Sequence, residues 1–385
     1  MFTSLPPSEL GLKTSAIESE QWYFQSAVWP QEPPMLAERL QRAGYTTAAE
    51  ITNPFLQAGR GCSQGFESFR NENVAARFGA DCARADVVTE STLAWLRLNR
   101  RAPFFLWVHY LDPHSRYDAP TTPLEWRKQY PAEWVAKRMY WVTELKPTDK
   151  ATQRRYEEFC RGMYAEEVRY TDAWLGKLLA GLRSSGEYED SLIVITADHG
   201  EELFDHGEME HGHTMYSELL SVPLLVKWPR GTEADRVVGQ AVGLADLTPT
   251  FLEFGQVRDQ TGVKGRSLPR RNGGPGEEVY AEGLIAGGEE KTALVTDRYK
   301  VIYRPFADSQ AEAWEVYDLG QDPGEHTNLA ATNAAEEMRA RLKQLSDQAL
   351  VFARKWENAE AAKGPRHKLS EQEKRGLKAL GYMGG

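Results

Sequence analysis

Short apolar runs bounded by chain breakers recur through the sequence, and they predict strands. Thr46 to Thr52 follows Gly44 and stops at Asn53-Pro54; Phe104 to Tyr110 (FFLWVHY) follows Pro103 and stops at Asp112-Pro113. Leu192 to Ala197 (LIVITA) runs into Asp198-His199-Gly200, and Val222 to Trp228 (VPLLVKW) runs into Pro229-Arg230-Gly231. Runs this continuous suit a parallel sheet covered on both faces. Between them the period lengthens. Within Tyr156 to Arg183, the residues Tyr164, Val168, Thr171, Leu175, Leu178 and Leu182 repeat at alternating gaps of four and three, until Ser184-Ser185-Gly186 stops the helix. Pro34 to Ala43 reads as a shorter helix closed by Gly44. Strand alternating with helix predicts an α/β domain with crossover connections.

The pattern changes after Lys264 to Gly276, a Gly/Pro/Arg-rich boundary. Val279 to Glu282, Thr292 to Thr296, Lys300 to Tyr303 and Trp314 to Tyr317 are short runs separated by turns, suited to an antiparallel sheet. Ala334 to Trp356 then reads as a helix, followed by a charged tail. The division is therefore an α/β domain over residues 1–262 and a small α+β subdomain over residues 263–385. One segment of the first domain stands apart. Thr121 to Thr152 is polar and carries Trp126, Tyr130, Trp134, Tyr140 and Trp141 along helical stretches; an amphipathic insert packed on the body is preferred over a rim for substrate access.

Composition removes several functions. Of the 385 residues 41% are hydrophobic and 26% charged, an ordinary globular balance, and the net charge of -10 argues against a nucleic-acid partner. The three cysteines, Cys62, Cys82 and Cys160, lack metal-type spacing and imply no disulfide framework. No apolar run reaches the roughly 18 residues of a transmembrane helix. Met1 to Ser8 does not resemble a signal peptide, and the compartment stays open.

The candidate chemistry lies at two strand ends. Of the eight histidines, His199, His206, His211 and His213 fall within one short stretch that starts where LIVITA stops. Ligands in open α/β sheets bind at the carboxyl ends of strands. Asp198 and His199 leave that strand together, with Gly200 letting the backbone turn, and can hold a divalent cation. The stretch HGEMEHGH is too polar for a core. His213 is a candidate catalytic group and His211 a candidate substrate contact, with His206 a weaker one. The second constellation is His109-Tyr110-Leu111-Asp112-Pro113-His114. His114, just outside the strand, can meet an anionic substrate or protonate a leaving group. His109 is a substrate-binding candidate that can equally be a packed strand residue.

These segments together resemble the bacterial sulfatases of the alkaline-phosphatase-like superfamily. FFLWVHYLDPH with YDAP, YAEEVRYTDAWLGKLLAGL, LIVITADHGEELFDHG and HGHTMYSELLSVPLLVKWP carry the likeness in order and spacing. LAERLQRAGYTTAAEITNPF, CSQGFESF, VGLADLTPTFLEF, WEVYDLGQDPGEHTNLA and KRGLKALGY extend it over nearly the whole chain. The resemblance implies an α/β fold with a largely parallel sheet flanked by helices and a small C-terminal α+β subdomain. It implies hydrolysis of a small or carbohydrate sulfate ester around one divalent cation, with calcium usual. Asp198 matches a metal-ligand Asp. His199 occupies a position often Asn in arylsulfatases and His in phosphonate- and phosphate-cleaving relatives, so manganese or zinc stay open. His114 matches a substrate-contacting histidine, and His213 stands where relatives present a cationic Lys or His to the ester.

Two departures accompany the match. No Lys-x-His pair lies near Asn53-Pro54-Phe55, where some relatives carry one. The family's paired Asp ligands and its Cys or Ser nucleophile, oxidised to formylglycine, precede a stretch resembling MFTSLPPSELGL, which here is the N-terminus. Cys62, in GRGCSQGFE, matches a later family segment. The expectation is a chain without its nucleophile, inactive as given, with any export signal in the segment not included. The alternatives are a phosphate or phosphonate ester hydrolase on the same fold, and a non-catalytic anion-binding relative that uses His114 and His213.

Overall fold

A computed structural model of the chain describes residues 1–10, 29–53, 56, 58–71, 84–99, 103–114, 117–136, 149–268, 278–285, 289–305 and 313–361. In order these residues form α1 (Leu36–Arg42), β1 (Thr46–Glu50), β2 (Ser68–Arg70), α2 (Ala85–Leu98), β3 (Phe104–Val108), α3 (Leu124–Arg127), α4 (Ala132–Ala136), α5 (Lys150–Ser185), β4 (Ile193–Thr196), β5 (Glu202–Leu203), β6 (Met209–Glu210), α6 (Ser217–Leu220), β7 (Leu224–Lys227), α7 (Leu247–Phe254), β8 (Val279–Ile285), β9 (Glu289–Val295), β10 (Tyr299–Arg304), β11 (Ala313–Asp318) and α8 (Glu336–Ala361). They divide into two units. The described residues of Met1–Gly44, Ser191–Glu201 and His211–His367 form one, and those of Tyr45–Asp190 and Glu202–Glu210 the other. No helix among the described residues is long and apolar enough to cross a membrane.

In the unit that begins at Tyr45, β1 is central to a parallel sheet of order β2-β1-β3, with Ala48 opposite Leu106 on one side and Ser68 on the other. Helix α5 starts where the Asp149 carboxylate accepts the amides of Ala151 and Thr152 at 3.1 and 2.9 Å, and ends at Gly186 in the left-handed region, φ 84°. Its contact with α2 is close: a Cβ on Gly181 would sit 2.1 Å from a Leu93 methyl. The aromatic insert packs on the same helix, with the Trp126 ring stacked on Phe159 at 5.8 Å and Tyr130 tilted against it at 4.9 Å. Trp134, Tyr156, Phe159 and Met163 are buried beside them. Tyr140 and Trp141 lie outside the described residues.

In the unit that begins at Met1, β4 and β7 pair antiparallel, Ile193 opposite Lys227 and Thr196 opposite Leu224. This differs locally from the parallel, doubly covered strands that their apolar runs suggest, and β4 is half-buried along its length. The chain returns from β4 to β7 without a long crossover helix, so it can run back beside itself. The last four strands form an antiparallel sheet of order β11-β10-β9-β8. Alternation sorts its faces: Leu294, Val301, Tyr303 and Val316 pack with Leu342 of α8, whereas Ala293, Ile302 and Tyr317 pack with Met215.

Candidate functional site

Past β4 the backbone turns sharply at Gly200. Its amide donates to the Leu219 carbonyl at 2.8 Å, and a Cβ there would lie 1.9 Å from the Glu218 carbonyl oxygen. Only glycine lets the strand end approach α6 this closely. The turn leaves Asp198 and His199 in water, with 65% and 41% of their side chains exposed. His199 Nδ1 lies 2.8 Å from the Gly200 carbonyl, which can only accept, so Nδ1 is the donor and Nε2 is the ring's outward nitrogen. That nitrogen is 4.0 Å from Asp198 Oδ1. Ligand bonds of about 2.0–2.4 Å from one cation reach both atoms at such a separation.

His211 completes the array. Its ring lies 4.4 Å from the His199 ring, and its Nδ1 is 2.9 Å from Glu201 Oε1. The Glu201 carboxylate, its side chain only 6% exposed, accepts the Nδ1 hydrogen bond and orients the imidazole, leaving His211 Nε2 as its other polar atom. Two residues on, the His213 carbonyl accepts from Lys291 Nζ at 2.9 Å. Asp198, His199, Glu201 and His211 are thus brought together, with His213 on the same arm. Among the described residues no three His, Cys, Asp or Glu side chains form a group able to hold a metal ion. Asp198 and His199 by themselves would not complete a cation's shell. Glu201 is the member that sequence reasoning missed; a carboxylate three residues after Asp198 was the signal. His206 belongs to the other unit, half-buried in the tight β5–β6 hairpin.

The constellation past β3 has a different character. His109 continues the ladder, its amide donating to the Glu50 carbonyl at 2.9 Å, and Thr52 Oγ1 latches the His109 carbonyl and the Leu111 amide at 3.2 and 3.1 Å. The Asp112-Pro113 bond is cis, and the His114 amide closes a turn on the Leu111 carbonyl at 2.8 Å. The charged groups beside this turn face inward. Arg84 bonds the Asp118 carboxylate and approaches Glu167 at 3.7 Å and Asp112 at 3.9 Å, while the Asp118 amide donates to Glu167 at 2.7 Å. Burial pushes the Asp112 carboxyl up to about 6, with Arg84 among the groups pulling it back. Burial, reinforced by the charge of Asp112, pushes Glu167 up to about 7, against the pull of Arg84.

The family model described as Sulfatase matches residues 1–257, and that described as N-sulphoglucosamine sulphohydrolase, C-terminal, matches residues 205–350. The chain is 26% identical to arylsulfatase K of Xenopus laevis over 343 residues, 78% of this chain and 62% of that protein. It thus spans less than two thirds of that relative's length. A protein solved in complex with its substrate D-glucosamine-2-N,6-O-disulfate superposes with a TM-score of 0.62 at 19% identity, covering 91% of this chain and 88% of its own. The phosphonate monoester hydrolase of Agrobacterium radiobacter gives 0.61 at 19% identity, covering 86% and 82%. Both share the α/β fold.

Proposed function

Because this chain belongs to the sulfatase family, we propose that it binds a sulfuric ester, carbohydrate-borne or small, past the end of β4 and serves its hydrolysis with one divalent cation. The observation that carries this reading is the meeting of Asp198 and His199, on the exposed turn past β4, with the Glu201-oriented His211 that follows β6. Asp198 Oδ1 and His199 Nε2 are assigned as cation ligands, and His211 Nε2 as a contact to an ester oxygen. His213 is assigned to the leaving oxygen, where a positive or proton-donating group favours departure. For His114 as a catalytic group and His109 as a substrate contact, the sequence context alone supports the proposed roles. The cation, calcium by family with manganese or zinc as alternatives, supplies positive charge to the ester oxygens when bound. The carbohydrate option draws on the relative solved with a sulfated glucosamine.

The described cysteines do not supply a nucleophile. Cys62 and Cys160 are both buried, and burial pushes the Cys160 thiol up to about 12. Neither of these two cysteines is therefore proposed to carry turnover of the ester. A second reading, a phosphate or phosphonate ester as substrate, is favoured by one observation: an imidazole nitrogen beside Asp198 at a position where all-oxygen calcium sites avoid nitrogen. Calorimetric titration with 4-nitrophenyl sulfate and 4-nitrophenyl phosphate, in calcium and in manganese, separates the two. Tighter cation-dependent binding of the sulfate is expected. Preference for the phosphate by an order of magnitude would reject the sulfuric-ester assignment.

A further inference from the structure

The arm from His211 to Leu220 carries two of the assigned histidines, yet its fixed points lie in the C-terminal sheet. Lys291 of β9 holds the His213 carbonyl at 2.9 Å. Lys300 of β10 and Glu325 form an ion pair at 2.8 Å, their side chains only 2% and 1% exposed. Both partners turn a further bond on the same residue. Lys300 Nζ donates to Ser217 Oγ at 2.9 Å, and Glu325 Oε2 accepts the Ser217 amide at 2.7 Å. Ser217 opens α6, where backbone amides lack helical partners, so the pair forms a charged socket for that amide and its side chain. Next to it, Tyr216 and Tyr317 both donate to the Glu315 carboxylate, at 2.7 and 2.8 Å, and Met215 is buried against Ala293 and Ile302.

A buried ion pair stabilises a fold little more than well-packed apolar residues of the same volume, because desolvation offsets its attraction. What it provides is placement, since its bonds are satisfied in one arrangement only. Here that arrangement is defined by Ser217, four residues past His213. The other end of α6 meets Gly200 beside His199. We propose that Lys291, Lys300 and Glu325 are positioning residues that hold the His211–Ser217 arm so that His211 and His213 keep their places for the anionic ester. The proposal rests on the site reading above. It makes the C-terminal sheet part of that site's construction.

Hydrogen exchange and sulfate binding on the 385-residue chain test it together. The variants are Lys291→Met at a half-buried position, Lys291→Arg, and the neutral double change Lys300→Met/Glu325→Gln, which strands no buried charge. Lys291→Met and the double variant should speed amide exchange over residues 211–220 by about tenfold, while β9 and β10 keep their protection. Inorganic sulfate, titrated calorimetrically, should bind about five- to tenfold more weakly, and Lys291→Arg should restore both readouts. Unchanged exchange in the arm, loss of protection spread evenly over β8 to β11, or a loosened arm with unaltered sulfate affinity would each overturn the proposal. A wild-type chain that takes up no sulfate overturns the site reading instead, and the exchange pattern still decides whether the clamp exists.

Discussion

Asp198, two residues past β4, keeps most of its carboxylate in water, whereas Asp112, four residues past β3, retains only 6% of its side-chain surface. In sequence the two look alike: an apolar strand, then histidine and aspartate at the strand's carboxyl end. Hydration separates them. Among the described residues Asp112, Asp118 and Glu167 gather around the same guanidinium, that of Arg84. Asp198 accepts the His199 amide of its own turn at 3.1 Å and keeps 65% of its side chain in water. A carboxylate at a strand end is thus open to water, as a proposed cation ligand must be, in one place and part of the scaffold in another.

The largest test of this contrast is Arg84→Met. Removing this guanidinium takes a charge partner from the buried carboxylates and should cost about 3–5 kcal/mol at pH 7.5, read by denaturant unfolding or by exchange in α2 and α5. A loss below about 1 kcal/mol would mean the cluster is hydrated after all. Next in size is the pH response of the wild type. Asp112 and Glu167 have folded-state values raised to about 6 and about 7 from 3.8 and 4.5. The fold therefore retains protons that the unfolded chain releases, and this contribution is complete below about pH 4 and lost as pH rises through 6 to 7. Lowering the pH from 8 to 5 should stabilise the Tyr45–Asp190 unit by about 2–3 kcal/mol, the two coupled groups acting together, and should soften the Arg84→Met defect. A flat profile would contradict it. Gly200→Ala comes third: the methyl meets a carbonyl oxygen, and about 1–3 kcal/mol should be lost, with exchange rising in α6. The smallest effect is that of Asp198→Asn on stability without added cation, within about 0.5 kcal/mol by thermal unfolding.

Long apolar runs and turn-separated short ones made β1, β3, β4, β7 and the four C-terminal strands readable, and regular gaps did the same for α5. Helix α2 was not read because its buried face includes Thr89, Thr92 and Ala85, small or polar residues that blur a hydrophobic stripe. Thr89 earns its burial by bonding the Tyr110 hydroxyl at 2.9 Å, a partner that sequence does not reveal. Asp198, His199 and His211 were legible as candidates from their density after LIVITA. Their arrangement was not, because Glu201 meets His211 only through the register of the β5–β6 hairpin, which pairs Glu202 with Glu210. The hold of Lys291, Lys300 and Glu325 on the arm depends on contacts between residues some 80 to 110 positions apart. No local pattern encodes it.

Calorimetric titration of calcium and manganese into the wild-type chain, Asp198→Asn and Asp112→Asn bears most directly on the central claim. Saturable binding that disappears in Asp198→Asn and survives in Asp112→Asn is the predicted result. Equal binding by the wild type and Asp198→Asn, or binding lost only with Asp112, would contradict it.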